Sequence, residues 1–84
     1  MNRAVADAIR SYLLATVLEG EDPSLLEDGT ALISTGVINS LGLMKLVAFL
    51  ESTFKVRIKA HEMNADHLDT VAKMTRFVTE REVP

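Results

Sequence analysis

No cysteine occurs in this chain, and at 84 residues that absence limits its fold more than any other feature. A domain this small, with neither a disulfide nor a cysteine-held metal, must be stabilised by packing alone. That requirement favours a compact helical bundle. Apolar residues make up 48% of the chain, enough for a core and too many for a disordered segment. The length allows a single domain over residues 1–84. No apolar run approaches a membrane span. The segment Met1-Asn2-Arg3-Ala4 leads into a helical pattern broken by Asp7 and Arg10, not into a signal-peptide core. The expectation is a soluble, full-length, cytoplasmic protein that acts as a monomer and engages no membrane.

The formal charge is −3, and its distribution is uneven. Glu19, Glu21, Asp22, Glu27 and Asp28 cluster without a basic neighbour, whereas Lys55, Arg57 and Lys59 cluster without an acid. A mildly acidic chain with one short basic stretch is a poor fit to nucleic acid. The simplest reading of both runs is solvated surface.

Hydrophobic spacing predicts a first helix from about Arg3 to Leu18, through Val5, Ala8, Ile9, Tyr12, Leu13 and Thr16 or Val17. Gly20 and then Pro23 stop it. A long connection to Asn39 follows, with Leu25, Leu26, Leu32, Ile33, Val37 and Ile38 available to pin it across a bundle. Ser24 is placed to start a short turn. The second helix runs from Ser40 to Thr53 or Phe54, with Leu43, Leu46, Val47, Leu50 and Phe54 as its inward stripe and Asn39 as its N-cap. Leu41, Met44 and Ala48 form a flank beside Lys45, which either contacts partners or is covered by a wider bundle. Val56-Arg57-Ile58 reads as an extended link, too short to pair as a strand. A short third helix is placed at His61–Asp66. The last helix starts with Asp69 as N-cap and runs to about Glu80, burying Val71, Met74, Phe77 and Val78; Pro84 ends the chain.

Enzyme chemistry finds little support. A serine nucleophile needs an oriented base, and the two histidines, His61 and His67, form no known pattern with Ser40. His61-Glu62 lacks a second histidine at zinc-protease spacing, and the four glycines form no phosphate loop. Asp66, His67 and Asp69 fit helix capping better than a cation site.

Ser40 is different. It opens a helix, where the dipole and unpaired N–H groups favour a phosphate. Around it the chain reads Gly36-Val37-Ile38-Asn39-Ser40-Leu41, then Lys45-Leu46-Val47, Leu50-Glu51 and Phe54. Val56-Arg57-Ile58, Glu62-Met63 and Asp69-Thr70-Val71 follow, and Asp28-Gly29-Thr30 with Leu32 precede. In order and interval, over nearly its whole length, this resembles the acyl and peptidyl carrier protein family.

The resemblance implies an all-α, four-helix carrier bundle with a long first loop and a short third helix. It implies no catalysis by the chain itself. A phosphopantetheinyl transferase would move 4'-phosphopantetheine from coenzyme A to Ser40, and the arm's thiol would hold acyl or aminoacyl groups as thioesters. The further partners implied are an acyl- or aminoacyl-activating ligase and downstream biosynthetic enzymes. The partner-facing residues would be Asn39, Leu41, Met44, Lys45 and Ala48. Three positions depart from the family pattern. Asn39 stands where aspartate is usual, which puts the efficiency of modification in doubt. Gly42 and Lys45 stand where acids are frequent, so electrostatic steering by the second helix should be weak. The neutral second helix points to a specialised pathway of polyketide or nonribosomal-peptide type. The alternative is an unmodified helical interaction module with the same fold, which Asn39 keeps open.

Overall fold

The computed structural model describes residues 2–81. Four helices follow one another: α1 (Arg3–Ala15), α2 (Ser40–Phe54), α3 (Ala65–Leu68) and α4 (Val71–Arg81). Single 3₁₀ turns at Pro23–Leu25 and Ala60–Glu62 lie in the connections. No strand occurs among the described residues, and the all-α bundle with a long first loop and a short third helix is the one observed. The expected terminus at Pro84 lies outside the described residues.

Helix α1 is capped by Asn2, whose side chain accepts the Val5 N–H at 3.2 Å. It buries Val5, Ala6, Ile9 and Leu13. It ends at Ala15, short of the expected Leu18. Thr16 leaves the helical region at φ −125°, and the Leu18 N–H reaches back to the Leu13 carbonyl at 2.8 Å. Two consecutive β-branched residues, Thr16 and Val17, fit this early unwinding. Gly20, at φ +85°, then turns the chain away. Helix α2 starts at Ser40 and ends at Phe54, as the spacing predicts. Leu46, Val47 and Leu50 are buried, with Leu43 and Phe54 half-buried beside them. Tyr12 of α1 stacks on Phe49 of α2, with ring centroids 4.1 Å apart. Helix α4 buries Val71, Met74, Phe77 and Val78, together with Thr75, whose hydroxyl donates to the Val71 carbonyl at 2.8 Å.

The long first connection is held by fewer apolar pins than the sequence offers. Leu26, Leu32 and Ile38 are buried, Ile33 is half-buried, and Leu25 and Val37 face solvent. Hydrogen bonds complete the anchoring. Arg10 donates to the Leu26 carbonyl and pairs with Asp28 at 3.2 Å, and the Asp28 carbonyl accepts the Ala72 N–H at 3.0 Å.

The strongest anchor is Asp69. Its Oδ1 accepts the N–H groups of Leu32, Ile33 and Ser34 at 3.0, 2.7 and 2.9 Å, and its Oδ2 accepts the Ser34 hydroxyl at 2.8 Å. Asp69 is therefore not the N-cap expected of it. Thr70 caps α4 instead, accepting the Lys73 N–H at 3.0 Å. A buried carboxylate is stable only when its oxygens are satisfied, and the loop's three converging N–H groups meet that need better than one helix N-terminus.

The extended link behaves as read: Val56 and Ile58 point inward and Arg57 outward. Glu51 holds it by accepting the Ile58 N–H at 2.9 Å. The third helix expected at His61–Asp66 divides into the Ala60–Glu62 turn and α3. Buried Glu62 accepts the Lys59 N–H at 2.9 Å and pairs with Arg81, which also donates to the Arg57 carbonyl at 3.1 Å. The Arg81 guanidinium lies 4.5 Å from the centre of the Phe77 ring, closing α4 against the link.

The Ser34 N–H, above all, holds the Asp69 carboxyl below the ordinary aspartate range; desolvation opposes it, and the other loop donors add to it. Because the folded value is depressed, this stabilisation is complete at neutral pH and is lost as the pH falls below the unfolded value and through the folded one. Asp69→Ala should cost about 2 kcal/mol in urea denaturation at neutral pH, because it removes the charged acceptor of the Ile33 and Ser34 N–H groups and leaves Leu32 only the Asp69 carbonyl. Asp69→Asn keeps an acceptor oxygen without the charge and should cost about 1 kcal/mol. The Asn variant should also show a flatter fall in stability below about pH 4.

Candidate functional site

The site begins with how the loop delivers its end. Leu32 is fixed by Asp69, through the carboxylate and through the Asp69 carbonyl at 2.8 Å. The Leu32 carbonyl in turn accepts the Ile38 N–H at 2.9 Å, and Ile38 is buried. Between them Gly36 sits at φ +81°, a conformation that costs other residues about 1–2 kcal/mol. The chain therefore reaches Asn39 from a fixed direction.

Asn39 caps α2 as the sequence predicts. Its Oδ1 accepts the Gly42 N–H at 2.8 Å, and its carbonyl accepts the Leu43 N–H at 2.8 Å. The structure gives Gly42 a steric reason: a Cβ there would lie 3.3 Å from Asn39 Oδ1 and 3.4 Å from Ile38 Cγ2. Ser40 is the first residue of α2 and is exposed. Among the described residues nothing accepts the N–H groups of Ser40 or Leu41, and the first turn holds no acid. These features fit a phosphodiester on the Ser40 oxygen. Two unpaired donors and the positive end of a helix dipole lie at the same helix start.

The flank of α2 is not covered by the bundle. Leu41 and Met44 are 61% and 62% exposed, and Lys45 and Ala48 are exposed beside them. Their spacing puts all four on one helical face, running away from Ser40. Asn39 lies at its upper end. Glu51, the one acid on α2, is engaged by the Ile58 N–H, so Lys45 is the charge this face presents.

Beside the start of α2 lies an open groove of about 470 Å³. One wall comes from the end of α1 and the turn after it, with Tyr12, Thr16, Val17 and Glu19. The other comes from Val37 to Lys45, including the residues on either side of Ser40. Sequence reading missed the first wall, because Glu19 looked only like a surface acid after a helix stop. Neither histidine lines this groove. His61 is exposed, and His67 shares a 3.0 Å hydrogen bond with Asn64 and packs edge-on against Phe77. Asp69, committed to the loop, does not join Asp66 and His67 in a cation site.

Comparison with known proteins supplies relatives at the level of sequence. The chain is 36% identical over 70 residues to D-alanyl carrier proteins of Streptococcus pyogenes, among them those of serotype M5 (strain Manfredo) and serotype M1. The match covers 77% of this chain and 89% of each relative. No family model matches the chain, and no solved structure matches it. Among the described residues no helix is long and apolar enough to cross a membrane.

If the Asn39 side chain orders the site by capping, Asn39→Ala should lose about 1 kcal/mol in urea denaturation and Asn39→Asp less than about 0.5 kcal/mol.

Proposed function

The chain belongs to the phosphopantetheine carrier-protein family, and from that premise we propose that Ser40 receives 4'-phosphopantetheine and that the loaded protein carries a small aminoacyl group. The observation that carries the reading is Ser40 itself: an exposed hydroxyl on the first residue of α2, with free backbone donors beside it. The Ser40 oxygen would bond to the phosphorus that bears pantetheine in coenzyme A. The bond from that phosphorus to the adenosine bisphosphate breaks, and the hydroxyl proton passes to a base of the transferase. The bound group supplies a terminal thiol, which this cysteine-free chain lacks, to hold cargo as a thioester. The chain's own residues position and present: the unpaired Ser40 and Leu41 N–H groups would hold the phosphate, and Asn39 fixes the helix start.

The relatives' name, D-alanyl carrier protein, supports an aminoacyl cargo, alanyl first, ahead of the polyketide type. Leu41, Met44, Lys45 and Ala48 form the face on which the transferase, an aminoacyl-activating ligase and the consuming enzyme would dock. With Glu51 engaged, that face offers apolar contact and one cation, and partners would be held by packing more than by steering.

Intact mass after incubation with coenzyme A, magnesium and a broad-specificity transferase tests the reading. Wild type should gain one phosphopantetheinyl group and Ser40→Ala none. No gain with several transferases would favour an unmodified interaction module. Asn39→Asp, which restores the acid usual in the family, should load faster than wild type. Lys45→Glu should change partner rates while leaving stability within about 0.5 kcal/mol.

A further inference from the structure

We propose that the groove between the end of α1 and the start of α2 seats the loaded arm, and that Glu19 favours a cargo bearing an ammonium group. The proposal rests on the reading of Ser40 as the attachment site.

Position is the first argument. Asn39, Leu41 and Gly42, the sequence neighbours of Ser40, line the groove while Ser40 itself does not, so a chain leaving the Ser40 oxygen enters it by bending round the helix start. Size is the second. At about 470 Å³ the groove lies in the range of small-ligand clefts, about 300–1,000 Å³. The lining is the third. Val17, Val37 and Leu41 offer apolar contact to a methylene chain, and Val37 and Leu41 are the exposed large side chains that the bundle leaves uncovered here.

The charges make the choice of cargo. Lys45 and Glu19 stand on opposite walls. Lys45, a turn further along α2, lines the groove on the α2 wall with Leu41 and Gly42. Glu19 is exposed, and among the described residues its carboxylate has no ion-pair or hydrogen-bond partner. An aminoacyl thioester carries an ammonium next to its carbonyl, whereas a plain acyl thioester carries no charge. Glu19 would therefore retain the first and ignore the second, and a seated thioester would be less open to water.

The test uses two coenzyme A analogues in which alanine or propionate is joined to the arm by a stable amide instead of the thioester. A transferase loads each onto Ser40, intact mass confirms loading, and ¹H–¹⁵N spectra are compared. The alanyl form should shift the amides of Thr16, Val17, Glu19 and Val37, and the propionyl form should shift them less. Glu19→Gln should load equally well but reduce the docked population of the alanyl form about two- to fivefold, the worth of an exposed ion pair. Shifts confined to residues 39–43 with both probes would overturn the groove. Groove shifts of equal size for both probes, unchanged in Glu19→Gln, would overturn the role of Glu19. Absence of any mass gain would instead remove the attachment site itself, and the tethered occupant with it.

Discussion

One carboxylate holds this fold together at its weakest point. A long connection in a domain with no disulfide would ordinarily be its loosest part. Asp69 prevents this by drawing three successive N–H groups and one hydroxyl of the loop onto a single side chain. Its position at the junction of α3 and α4 ties the loop to the part of the bundle that buries Leu68, Val71 and Met74. Charge-assisted bonds are the strong kind, and here they converge on a buried side chain. Buried Leu26, Leu32 and Ile38 add apolar burial worth about 1.5–3 kcal/mol each.

The functional consequence runs along the chain. Asp69 fixes Leu32, Leu32 fixes Ile38, Ile38 delivers Asn39, and Asn39 caps the helix that begins with Ser40. On the proposed reading, Ser40 would be offered to several large enzymes in turn. A serine at a loop-to-helix junction is accessible, and this chain of bonds also keeps it in one place. The same arrangement leaves Leu41, Met44, Lys45 and Ala48 on an open face beside it. Stability and presentation thus depend on the same few bonds.

Most of what is local was legible in the sequence. Asn39 as cap, Ser40 as the helix start and the inward turn of Val56 and Ile58 all follow from rules that span a few residues. Asp69 shows where such rules stop. An aspartate just before an apolar helical pattern is the standard N-cap signal, and Thr70 beside it offers the same chemistry. Only the folded chain brings Leu32, Ile33 and Ser34 within reach, and those long-range donors decide which residue caps and which anchors. Glu51 repeats the lesson, since nothing in its local sequence marks it as the acceptor of the Ile58 N–H group. The groove wall formed by Thr16, Val17 and Glu19 was hidden for a related reason, since it lies where α1 unwinds short of the expected Leu18.

The measurement that reaches the centre of this account is an NMR titration of the Asp69 carboxyl carbon, followed together with the amides of Leu32, Ile33, Ser34 and Ser40. The account predicts a midpoint below the ordinary aspartate range, with all four amides moving at that same midpoint. An Asp69 that titrates as a free aspartate, with the loop and Ser40 amides unmoved, would contradict it.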